Sequence, residues 1–240
     1  MRQIELQVGD YCHVFNRGAG KQLIFRDKHD YRRFYQSMFL FNNKNFRNPG
    51  GYTEMRDEVL LMFQNELKSQ REPFVDIVSF CLLPNHYHLL LKQRLPNGIP
   101  LFLHKLAMGY SKYFNLRYKR TGTLYEGPYK AIIPEREGHL EHLPRYIHLN
   151  ALDLTSIDWR STLIDDWVGV VNALNKYPWS SHHVFINKKQ RLDVVSDDEV
   201  KKIFPEPETY WKYIKEWVGT SPGDVPVSAD VPVSMVIKQL

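Results

Sequence analysis

PFVDIVSFCLLPNHYHLLLKQ, residues 73–93, holds two apolar, β-rich runs on either side of Pro84-Asn85. Val, Ile, Phe and Leu dominate both, and the Leu83-Pro84-Asn85 stretch supplies a tight turn. The pattern predicts two strands paired as an antiparallel hairpin. Side chains alternate along a strand, so His86 and His88 share one face while Tyr87 takes the other. Two imidazoles about 6 to 7 Å apart on one face are either a hydrogen-bonded pair on a half-exposed sheet or two ligands for one cation.

Outward from the hairpin, DYCHVFNR (Asp10 to Arg17) reads as a first strand, and Lys28 to Phe41 has helical periodicity. FNNKNFRNPGG then breaks the pattern, and a further helix is expected from about Glu54 to Ser69. Downstream, a long helix is predicted over Leu101 to Lys119, a strand over Pro128 to Pro134 and a helix over Arg136 to Asn150. Pro144 should start, kink or interrupt that last helix. The order implies an α+β fold: a ferredoxin-like or RRM-like antiparallel sheet, with helices mainly on one face. A helical C-terminal appendage follows. The expected divisions are a core over residues 1–152, an extension over 153–220 carrying YPWSS, and an extended or mobile Pro/Ser-rich tail over 221–240.

Of the 240 residues, 43% are hydrophobic and 25% charged, as in ordinary globular proteins. No run approaches the roughly 18–20 apolar residues of a membrane span, so no membrane role is expected. Cys12 and Cys81 stand alone in apolar surroundings and read as reduced core thiols. The net charge of +5 permits a polyanionic partner without requiring one.

The distribution of that charge is more informative. Between Lys92 and Lys130 stand eight Lys and Arg residues against one acid, Glu126, interleaved with Phe102, Tyr110, Tyr113, Phe114, Tyr118, Tyr125 and Tyr129. Cations alternating with aromatic faces suit single-stranded nucleic acid. An amphipathic helix with buried rings and solvated charges would give the same composition.

A metal site at His86 and His88 needs further ligands. The next residue on that face is Leu90, which counts against a third histidine and against a small-molecule nucleotide hydrolase built on a histidine triad. An open, oxygen-rich site for Mg²⁺ or Mn²⁺ fits better. In RYIHLN, Tyr146 and Asn150 are four residues apart on one helical face, with His142 a turn earlier. His148 should face elsewhere.

These residues resemble a known family. PNHYHLLL resembles the His-hydrophobe-His motif of the HUH endonuclease superfamily, most closely its single-tyrosine insertion-sequence transposases and, among them, the REP-associated tyrosine transposases. YCHVFNRGAGKQLIF resembles the opening strand and turn of that family, MGYSKYFNLRYKRTGTLYEG its basic helix and following loop, YIHLN its nucleophile helix and YPWSSHHVF its closing motif. The resemblance spans about Tyr11 to Phe185.

It implies a metal-dependent enzyme that nicks and rejoins single-stranded DNA near hairpins of palindromic repeats. Tyr146 would be the nucleophile, and His86, His88 and Asn150 would hold Mg²⁺ or Mn²⁺. DNA contact or site support would come from His13, Asn16, Arg17, Lys105, Lys112, Arg117, Lys119, Arg120 and Lys130. A bacterial, cytoplasmic protein is implied, associated with the nucleoid when bound to DNA; monomer and homodimer stay open. The alternative is a non-catalytic single-stranded nucleic-acid-binding protein of the same fold. Two departures support it: Ala151 follows Asn150 where the family has Pro, and Pro128 follows Gly127 where it has Arg. The stretch from about Leu154 to Lys176 is also longer than usual.

Overall fold

The computed structural model describes residues 6–46, 71–134, 140–160, 164 and 166–218. The expected helix over Glu54 to Ser69, the start of the helix expected at Arg136 and the tail over 221–240 lie outside them.

Among the described residues, four strands form one antiparallel sheet: β1 (Tyr11–Arg17), β2 (Val75–Leu83), β3 (His86–Gln93) and β4 (Lys130–Ile132), in the spatial order β2-β3-β1-β4. The hairpin forms as its sequence requires, with Leu83 opposite His86 and Cys81 opposite His88. β1 then pairs along the other side of β3, setting Arg17 opposite His86, Phe15 opposite His88 and His13 opposite Leu90. This register divides the side chains by face. Cys12, Val14, Tyr87, Leu89 and Leu91 point one way and are buried, while His13, Phe15, His86 and His88 point the other.

Two long helices cover the first face. α1 (Lys28–Phe41) opens on Asp27, whose carboxylate accepts the backbone N–H of His29 and Asp30 at 2.8 and 3.2 Å. α2 (Gly98–Arg117) crosses α1 closely: a Cβ on Gly109 would lie 2.3 Å from the Phe41 ring. Gly98 is required for a similar reason, since its Cβ would meet the Phe74 carbonyl oxygen at 2.2 Å. Phe34 of α1 packs on Tyr87 and Tyr110, locking helix pair to sheet.

The opposite face is covered too. α3 (His142–Leu149) packs across β2 and β3. Pro144 falls in its first turn, where its missing N–H is no loss. Outside α3 lie α4 (Trp167–Lys176), the short α5 (His182–Phe185), α6 (Asp197–Ile203) and α7 (Pro207–Val218). They join the same core: His148 of α3 shares hydrogen bonds with Tyr210 Oη (2.9 Å) and Ser181 Oγ (2.7 Å), and all three are buried. The appendage is thus a second layer on the histidine-bearing side of the sheet. Among the described residues, no helix is long and apolar enough to cross a membrane. Cys12 and Cys81 are buried and unpaired, as expected.

Candidate active site

The start of β3, the end of β1, β4 and α3 enclose a cavity of about 750 Å³. Phe15, Asn16, Arg17, Asn85, His86, His88, Lys130, Tyr146 and Asn150 are on its wall. The register and the helical spacing read from the sequence therefore bring the two histidines, the tyrosine and the asparagine together. His86 and His88 have ring centroids 5.1 Å apart, and the Tyr146 ring meets His88 edge-on at 5.9 Å. His148 faces away, as its position two residues from Tyr146 requires. His142 also leaves the site: it contacts Arg145 and packs against Tyr213 and Trp217.

Both histidines of the pair have their Nδ1 atoms committed inside the protein. His86 Nδ1 lies 2.7 Å from the Asn85 carboxamide oxygen, which can only accept, so Nδ1 carries the proton. His88 Nδ1 lies 3.0 Å from His13 Nε2. If His88 donates in that contact, both rings keep an Nε2 lone pair for a ligand, the arrangement metal-binding histidines require. Burial lowers the pKa of His86, and it lowers that of His88 well below the ordinary value, with neighbouring His13, His86 and Arg160 adding to the effect. His13 is pushed down to about 4 by burial. All three are neutral near pH 7, and His86 and His88 keep Nε2 lone pairs for a ligand.

Among the described residues, no group of three or more His, Cys, Asp or Glu side chains is placed to hold a metal ion. A cation at the histidine pair would therefore need an oxygen of another kind, and Asn150 has one. Its amide nitrogen donates to the Tyr146 carbonyl at 2.6 Å, which aims Oδ1 away from the helix. The residues present fit the group.

The basic residues are divided. Asn16, Arg17 and Lys130 line the cavity; Arg17 is bonded to Glu126 at 2.9 Å and Asn16 to the Gly127 carbonyl at 3.0 Å. His13 is 2% exposed beneath His88, so it supports the site and offers DNA no surface. Lys105, Lys112, Arg117, Lys119 and Arg120 belong to α2 or its C-terminal turn, on the far face of the sheet. Arg117 is committed to Asp27 and Asp30, and Lys105 donates to the Asn43 carbonyl at 3.1 Å. Phe102, Tyr110, Tyr113 and Phe114 are buried against α1 and the sheet, so those rings are core and not a stacking platform.

Two cavity residues, Asp153 and Arg160, and the buried Trp159 beside them had no signal in the sequence. Asp153 lies in the 3₁₀ segment Asn150–Leu154, and the turn after that segment folds Trp159 and Arg160 back beside Tyr146 and Asn150. The expected division after residue 152 falls within the 3₁₀ segment.

The family model described as "Transposase IS200 like" matches residues 35–150, which include the histidine pair, Tyr146 and Asn150. A solved structure described as "Structure of the REP associates tyrosine transposase bound to a REP hairpin" aligns with a TM-score of 0.48 at 10% identity, covering 82% of this chain and 93% of that one. No curated protein matches the chain. Over residues 35–150, this chain is similar to the IS200-like transposase family.

Proposed function

We propose that the chain cuts and rejoins single-stranded DNA beside hairpins of palindromic repeats, as the REP-associated tyrosine transposases its motifs resemble would do. One observation carries the reading: the Tyr146 ring stands edge-on to His88 in a cavity that also holds His86 and Asn150. In the first step the Tyr146 oxygen gives up its proton and bonds to the scissile phosphorus. The bond from phosphorus to the 3′ oxygen breaks, and that oxygen leaves as a hydroxyl, so the 5′ phosphate stays on the tyrosine. Because the phosphoester is retained, a 3′ hydroxyl can later attack it, restoring Tyr146 and joining two strands.

His86, His88 and Asn150 would hold Mg²⁺ or Mn²⁺, which when bound supplies positive charge against the phosphate oxygens. Asn85 and His13 fix the orientation of the two rings through their Nδ1 atoms. Trp159 packs edge-on against Tyr146 at 5.9 Å and restrains the nucleophile. Lys130 and Arg17 place cations at the cavity wall for the strand entering it.

The test is a covalent-adduct assay on a hairpin oligonucleotide with a single-stranded flank, run with Mg²⁺ or Mn²⁺. A protein–DNA adduct that resists denaturation is expected. Specific hairpin binding with no adduct under any metal condition would favour the second reading, a nucleic-acid-binding protein without cleavage. One observation speaks for that reading: the Asn150 oxygen already accepts a hydrogen bond from Arg160 at 2.8 Å.

A further inference from the structure

Arg160 ties together several groups of the cavity. Its Nη2 donates to Asn150 Oδ1 at 2.8 Å, and its Nη1 contacts the Asp153 carboxylate. Its guanidinium carbon lies 4.1 Å from the centroid of the Trp159 ring, stacked over it. Trp159 is itself fixed: its ring is buried, and its Nε1 donates to Asp153 at 2.7 Å. The backbone is therefore anchored by the tryptophan, whereas the Arg160 side chain is 45% exposed and lies on the cavity wall.

A divalent cation and a guanidinium cannot both take the same amide oxygen at close range, since both are positive and repel one another. Arg160 has to leave Asn150 Oδ1 before that oxygen can serve as a ligand. The cavity offers a second use for the freed guanidinium: a phosphodiester beside Tyr146, whose oxygens match its planar fork of donors.

We propose that Arg160 is a positioning residue that rests on Asn150 and transfers to the phosphodiester of the bound strand, so that DNA entry unmasks the metal ligand. This rests on the reading of the site given above. Binding linkage then makes the effect reciprocal: DNA strengthens metal binding, and metal strengthens DNA binding by the same factor. Without DNA, the site is held in its weak-binding form.

The experiment measures Mn²⁺ affinity by the resonance signal of free Mn²⁺, with and without a saturating single-stranded oligonucleotide, for the wild type, Arg160→Met and His88→Ala. For the wild type, DNA is expected to tighten Mn²⁺ binding about tenfold. Arg160→Met, which removes the guanidinium and keeps the stem, should bind Mn²⁺ several-fold more tightly without DNA and lose most of the DNA enhancement. An unchanged Mn²⁺ affinity in Arg160→Met would overturn the inference. So would a tighter affinity with the full DNA enhancement retained, because simple charge repulsion would then suffice. Mn²⁺ binding that survives His88→Ala would instead refute the metal site itself, and the inference with it.

Discussion

His13 Nε2 lies 3.0 Å from His88 Nδ1, and the two rings are stacked with centroids 5.2 Å apart. This buried pair joins β1 to β3 directly beneath the cavity, and it leaves His13 Nδ1 without a hydrogen-bond partner among the described residues. Such an arrangement is costly unless the orientation of His88 matters. His13→Phe, which keeps the ring and removes the bond, is expected to weaken Mn²⁺ binding by about 10- to 100-fold. Calorimetric titration would measure it, and an unchanged affinity would show that packing alone orients His88.

Tyr146→Phe removes one oxygen from a half-buried ring that packs on His13, His88 and Trp159. Covalent DNA adducts should vanish while hairpin binding persists and the melting temperature moves by less than a few degrees. An adduct formed by this variant would place the nucleophile elsewhere.

The two groups of basic residues should separate in a salt titration. Lys130→Ala at the cavity wall is expected to weaken binding of a single-stranded oligonucleotide and to reduce the slope of log affinity against log salt by about 0.7. Arg117→Ala should instead cost stability. Asp30 is fully buried and accepts from Arg117 at 2.8 Å and from the hydroxyls of Tyr113 and Tyr118 at 3.0 and 2.8 Å. Removing the guanidinium from this cluster should cost about 3 kcal/mol, read by urea denaturation. A loss of salt slope without a loss of stability would return α2 to the DNA-contacting role.

Glu199 gives the fold a defined acid sensitivity. Its buried carboxylate accepts from Tyr11 Oη at 2.5 Å and from Lys92 and Lys202, tying α6 to β1 and β3. Against the opposing effect of burial, these bonds hold its pKa down to about 2, from an ordinary value of 4.5. A depressed carboxylate pKa stabilises the fold above the unfolded-state value, and that contribution is lost as pH falls through the folded-state value. The wild type should therefore lose about 2 kcal/mol between pH 4.5 and pH 2. Glu199→Gln should be less stable at pH 7 and show a flatter decline, as measured by denaturant melts across that range. Parallel pH profiles for the two proteins would assign the acid sensitivity to other groups.

The hairpin, the shared face of His86 and His88, and the outward turn of His148 were legible because each follows from a local period, two for strands and 3.6 for helices. α1 was legible for the same reason and begins at Lys28 as its periodicity implies. The rings of α2 were not, since a row of tyrosines reads alike whether it meets bases or another helix. Here the contact with Phe34 and Phe41 of α1 decides it. The second layer was hidden too, because it depends on bonds such as His148 to Tyr210, 62 positions apart. Arg160 escaped notice because its meeting with Asn150 depends on how the intervening turn closes.

The outer edge of β2 is occupied along much of its length. Leu82 N–H donates to the Trp179 carbonyl, Ser181 N–H to the Phe80 carbonyl and Ser196 N–H to the Ile77 carbonyl, each at 2.9 Å. YPWSS and the residue that opens α6 thus act as a selvedge, taking up main-chain groups that would otherwise recruit a foreign strand. Two copies of this chain could not extend one sheet into another past β2 without first unpicking that seam.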